Sequence, residues 1–161
     1  MVRDHARGTK ITPVSRRNEI AASLSITIGA APVAATVTAL HRELDARGIP
    51  VFATIDHAAG AGSVGLHLSD EVVVVFGNPA VGTRLMQADP RSGIDLPLRI
   101  LIWDQDGSTN IAYEDPHRLA DRFDLEPVDE TLDVMAGLLR QLVAAITTPS
   151  EQTLTDHASR R

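Results

Sequence analysis

Three clusters in the sequence hold the residue types that chemistry needs. The first is "TIDHAAGAGSVGLHL", Thr54 to Leu68, where Asp56 and His57 stand side by side at the end of a strand-like run. Such a pair has three uses: proton transfer, metal ligation, or polar punctuation where a strand stops. Proton transfer needs a carboxylate within about 2.6–3.2 Å of an imidazole nitrogen. Neighbours on a strand face apart, so Asp56 and His57 meet only if the strand ends between them. The carboxylate that orients His57 is therefore Asp56 itself, Asp89 or Asp95.

The second cluster is "FGNPAVGT", Phe76 to Thr83. Phe76, Gly77, Asn78 and Pro79 form a turn leaving an apolar run, and Thr83 reads as the cap of a short helix over 83–89. Backbone N–H groups at such a helix start can hold an anion. The lysine of a phosphate loop does not follow. The third cluster, "MQADPRSGIDLPLR", sets Asp89, Asp95 and Arg99 close together. An arginine between Leu98 and Ile100 calls for an acidic partner, because an unpaired buried charge is costly. The same three residues would equally serve a convergent polar pocket. No nucleophile elbow, dinucleotide loop or zinc-protease motif occurs, and no histidine spacing marks a metal pair.

These clusters must be held by elements that the apolar pattern marks out. "SLSITIGA" alternates as a strand. "APVAATVTALHRELDARG" reads as a helix with Pro32 at its first position, Val33, Val37, Leu40 and Leu44 on one face, and Gly48 as the stop. "IPVFATID" is a strand with Val51, Ala53 and Ile55 on one face and Phe52, Thr54 and Asp56 on the other. "EVVVVFGNP" reads as a buried strand. "LPLRILIWD" and "TNIAYE" flank an Asp-Gly turn and form a hairpin. "DPHRLADRF" is a short helix capped by Asp115. "DETLDVMAGLLRQLVAAI" is a long helix whose stripe is Leu132, Met135, Leu139, Leu142 and Ile146. A hairpin with few strand–helix–strand crossovers favours α+β with a mostly antiparallel sheet.

The chain has 161 residues, enough for one domain. Residues 1–20 read as a flexible arm, 21–147 as a single α+β domain, and 148–161 as a disordered tail. There is no cysteine, which removes disulfides and thiolate chemistry. Net charge is −6 and aromatics are 3%, which argues against nucleic acid as a partner. Apolar runs fall short of a bilayer's roughly 20 residues. The expectation is a cytoplasmic protein with no membrane partner. Ten acids against two arginines lie between Asp104 and Val134, as on a solvated face.

One set of motifs goes beyond these local readings. Ile55-Asp56-His57, Phe76-Gly77-Asn78-Pro79, Gly82-Thr83, Leu85-Met86, Asp95-Leu96-Pro97-Leu98 and Tyr113-x-Asp115-Pro116 occur in that order. From about Leu24 to Ile146 the chain resembles the bacterial and archaeal domain of unknown function 302 family. Arg84 stands where that family often has proline, at what the reading above makes the first helical position. The resemblance implies a twisted antiparallel sheet with helices packed on it, similar in topology to the TATA-binding protein, and a homodimer. It implies no activity and names no cofactor. The clustering at strand ends points to a small-molecule pocket lined by Asp56, His57, Phe76, Gly77, Asn78, Pro79, Thr83, Asp89 and Asp95. Two other readings stand beside it: a hydrolytic or proton-transfer enzyme with His57 as base, and a homodimeric assembly or partner-binding module.

Overall fold

The computed structural model describes residues 24–126 and 129–147. The expected arm and tail lie outside the described residues. Strand β1 (Leu24–Ile28) leads to helix α1 (Val33–Ala46), then β2 (Val51–Asp56), α2 (His57–Ser63), β3 (Glu71–Phe76) and α3 (Pro79–Ala88). A 3₁₀ turn (Pro90–Ile94) precedes β4 (Leu98–Gln105) and β5 (Ser108–Glu114). A second 3₁₀ turn (Pro116–Leu119) precedes α4 (Asp129–Thr147).

The strands form one sheet in the order β1-β5-β4-β3-β2, every pairing antiparallel. The α+β expectation therefore holds. Helix α1 carries the chain from one edge strand to the other, and α4 packs beside it on the same face. Leu40 and Leu44 of α1, Leu139 and Leu142 of α4, and Val74, Phe76, Ile100, Ile102 and Ile111 of the sheet make the main core. The expected stripe of α4 is buried throughout. The Asp-Gly turn forms as read: Asp106 and Gly107 both take positive φ, at 55° and 81°, as the tight hairpin turn requires.

The opposite face of the sheet is only partly covered among the described residues, and the segment from Pro116 to Arg122 lies over one end of it. Ile26, Ala112, Leu101, Val73 and Ile55 occupy matched positions on the five strands and form one apolar row across it. Ile26 is 56% exposed and Ile55 45%.

Two local readings need correction. Strand β2 does not alternate from end to end. Val51 pairs with Phe76 and Ala53 with Val75, so Phe52 is an extra residue, a β-bulge. Val51 then shares the helix-covered face with Phe76, while Ala53 and Ile55 lie on the open face with Val75 and Val73. Helix α3 begins at Pro79, four residues ahead of Thr83, and Arg84 lies inside it. The glycine-rich stretch after Asp56, to which the sequence assigned no element, forms a short helix, α2.

Candidate functional site

Asp56 answers the first question about the Asp-His pair. Its carboxylate accepts the Ala59 N–H at 2.8 Å and caps α2. A cap offsets the helix cost of the two glycines that follow. The His57 side chain is exposed and makes no hydrogen bond or ion pair among the described residues. The oriented base that proton transfer requires is not assembled there. Asp89, Asp95 and Asn78 are each engaged elsewhere.

Asp89 is buried, 3% exposed. It accepts the Arg91 backbone N–H, a two-oxygen contact from the Arg91 guanidinium, and the Asp124 N–H at 3.1 Å. The Arg91 guanidinium holds its carboxyl well below the usual range, with the Arg91 and Asp124 backbone N–H groups acting in the same sense against burial. Asp89 thereby ties the end of α3 to the segment before α4. Asp95 pairs with Arg122. Arg99 reaches only the Asp95 carbonyl, at 3.5 Å, so the expected Arg99–carboxylate pair is absent among the described residues. Asp95 and Arg99 line a cavity of about 260 Å³ at one end of the sheet with Glu114, Arg118 and Arg122.

The remaining predicted residues do converge. Gly77, Asn78, Pro79 and Thr83 line a cleft of about 370 Å³ between α3, the first 3₁₀ turn and α4. Phe76 lies just beneath, fully buried in the core. The bulge turns Phe52 into one wall, where it stays 53% exposed. Met86 and Gly93 form a second wall, and the Leu96–Pro97 cis peptide with Leu98 the base. Val134, Met135 and Leu138 of α4 close the far side. Below it, Leu85, Leu119, Leu125, Leu132 and Met135 form a small second core. The cleft lies at a strand end, and its lining is apolar where a polar pocket was expected. None of its lining side chains is ionisable.

The N-terminus of α3 opens onto this cleft with its donors already used. Pro79 has no N–H. Ala80 N–H goes to Asn78 Oδ1 at 2.9 Å, and Val81 and Gly82 N–H go to the Asn78 carbonyl at 3.0 Å. The anion reading of this turn has no free backbone donor behind it. Two polar groups are left over: Asn78 Nδ2 and the Thr83 hydroxyl make no hydrogen bond among the described residues.

Sequence reasoning missed Phe52, Met86, Val134 and Leu138. One signal was present. Val134 and Leu138 form a second apolar row at helical spacing beside the core stripe of α4.

The model of the family described as "Domain of unknown function DUF302" matches residues 24–145, the whole of the sheet and nearly all of α4. The chain belongs to the DUF302 family. A crystal structure of an uncharacterized conserved DUF302 protein from Bacillus stearothermophilus is similar in fold, with a TM-score of 0.63 at 18% identity. The match covers 77% of this chain and 95% of that one. Among curated proteins, the chain is 40% identical over 94 residues to "Fluoride-specific ion channel FluC 1" of Brucella suis biovar 1 (strain 1330). It matches the FluC 1 protein of Brucella abortus biovar 1 (strain 9-941) at the same identity. The matches cover 58% of this chain but only 37% and 35% of those proteins, so the chain spans little more than a third of their length. No helix among the described residues is long and apolar enough to cross a membrane.

Proposed function

We propose that this DUF302 domain is a binding module for a small, uncharged, mostly apolar molecule held in the cleft between α3 and α4. The observation that carries the proposal is the lining: about 370 Å³ of concave space without an ionisable side chain. Binding sites of this kind are concave and apolar, with a few polar groups that fix orientation, and run from about 300 to 1,000 Å³. Phe52, Met86 and Val134 remain exposed at the cleft, at 53%, 40% and 64%, and a bound apolar molecule would cover them. The partial likeness to FluC proteins supports a module that serves a larger assembly over a free-standing catalyst. The test is a fluorescence titration with the neutral probe N-phenyl-1-naphthylamine. The probe brightens and saturates with the wild-type chain, and Val134→Glu, which sets a charge at the exposed rim, weakens it at least tenfold. Equal titrations would refute the cleft as the site.

A second reading has its own observation. The apolar row Ile26, Ala112, Leu101, Val73 and Ile55 crosses the open sheet face, and sheets pack face to face through such rows. A homodimer formed through this face would bury it. Light scattering of the wild type and of Ile26→Lys, a change at an exposed position, tests this: the wild type gives twice the chain mass and the variant reverts to one.

A further inference from the structure

We propose that the ligand of the α3–α4 cleft is a neutral molecule carrying a carbonyl-type acceptor (a ketone, ester or amide oxygen) on an apolar body. This rests on the binding reading above and narrows it to a class.

Few donors and acceptors line the cleft. Asn78 Oδ1 is committed to the Ala80 N–H, which fixes the orientation of the amide and leaves Nδ2 to face outward with two N–H donors. Thr83 sits one helical turn after Pro79 on the same face of α3 and keeps an unused hydroxyl. The spare polar capacity therefore includes three hydrogens and one hydroxyl oxygen. A carbonyl oxygen, an acceptor with two lone pairs and no hydrogen to donate, is complementary to these donors.

Charged heads are disfavoured from both sides. A carboxylate or phosphate would lose water and find neither a cation nor a free backbone N–H in the lining, since the first backbone donors of α3 are spent on Asn78. An ammonium would find no acid in the lining. The remaining walls, Phe52, Pro79, Met86, Leu96, Val134 and Leu138, offer only apolar contact. At about 30 Å³ for each displaced water, the space corresponds to roughly a dozen water-sized volumes. The ligand is therefore small: no more than about two or three rings, or a branched chain of similar bulk, with its carbonyl.

Acetophenone, ethylbenzene and benzoate share a ring and differ at the head, and each is titrated in competition with N-phenyl-1-naphthylamine. Thr83→Val removes a donor at nearly constant shape, and Asn78→Ser keeps a capping oxygen while removing the amide N–H groups. Each variant is expected to weaken acetophenone about fivefold to tenfold, the worth of one hydrogen bond, and to leave ethylbenzene unchanged. Benzoate is expected not to compete. If ethylbenzene and acetophenone respond alike to both variants, the carbonyl inference falls and the apolar cleft stands. Benzoate binding as tightly as acetophenone overturns the neutral class. If no compound and no probe binds, the binding reading itself falls. Binding that appears only after residues 148–161 are removed assigns the cleft to the chain's own C-terminal segment and overturns the proposal.

Discussion

Asn78 does two separable jobs, and one pair of substitutions tells them apart. Its Oδ1 caps α3 by accepting the Ala80 N–H at 2.9 Å, while the residue lines the cleft and its Nδ2 makes no hydrogen bond among the described residues. Removing a helix cap costs about 1 kcal/mol, within a range of roughly 0.5–2. The Asn78 side chain is exposed, so water partly replaces the lost bond and Asn78→Ala belongs in the lower half of that range. With an m-value of about 2 kcal/mol/M in urea, the midpoint should fall by about 0.3–0.5 M. Asn78→Asp keeps an oxygen in the capping position and adds a negative charge at a helix N-terminus, worth about 0.3–1 kcal/mol. That variant should unfold at or above the wild-type midpoint. It should nevertheless bind N-phenyl-1-naphthylamine more weakly, because the cleft then carries an uncompensated charge. Paired urea melts and probe titrations of the three proteins decide the matter. An unaltered midpoint in Asn78→Ala, or a lowered one in Asn78→Asp, would refute the capping account. Unchanged probe binding in Asn78→Asp would refute the placement of this amide at the cleft.

Three other perturbations test the parts that hold the site. His117 lies between Asp115 and Asp133, 2.7 and 2.9 Å from their oxygens, and the Asp115 contact, then Asp133, raises its pKa. A raised folded-state pKa stabilises below the ordinary histidine value and is lost as pH rises through the folded value; thermal melts from pH 5 to 9 should show wild type losing a surface-pair advantage of up to about 1 kcal/mol over His117→Ala, and parallel curves would contradict it. Asp89, held below the usual carboxylate range by Arg91 first, has the opposite sign: its contribution is present above that range and fades as pH falls through it, so Asp89→Asn should lower the melting temperature at pH 7 and converge on wild type in acid. Deleting Phe52 removes the bulge residue and leaves Val51 and Ala53 as consecutive partners of Phe76 and Val75; amide exchange should show the β2–β3 ladder intact while probe binding drops, and loss of ladder protection would overturn the register argument.

The elements that the sequence reveals best are those settled by local rules. The Asp106-Gly107 turn needs two positive-φ residues, and few sequences supply them. The stripe of α4 is long enough for its period to be unmistakable, and all five of its residues are buried. The failures have equally local causes. Asn78-Pro79 reads as a turn, yet a cap followed by proline is also how a helix begins, and Gly82 inside α3 hid the continuation. Alternation along β2 could not reveal the bulge, because the shift is set by β3 across the ladder. The glycines of α2 spoke against a helix that Asp56 caps. The cleft was legible only on its α3 side. Its other walls come from Phe52, the 90–94 turn and α4, distant in sequence and apolar, and such residues look like core until their exposure is known.

These placements also bear on what the site can do. Proton transfer or nucleophilic attack calls for a side chain whose charge state or lone pair is free to change. The titratable groups that the sequence marked are each engaged in structure or stand apart from the cleft. Asp56 caps α2, Asp89 ties α3 to residue 124, Asp95 pairs with Arg122, and exposed His57 has no carboxylate in contact among the described residues. The cleft itself is lined by an amide and a hydroxyl and by no titratable side chain. A bulge and a helix cap, both devices that spend backbone regularity, meet across Gly77 to shape an apolar hollow instead of filling it. That arrangement supports the proposed reversible capture of a neutral molecule.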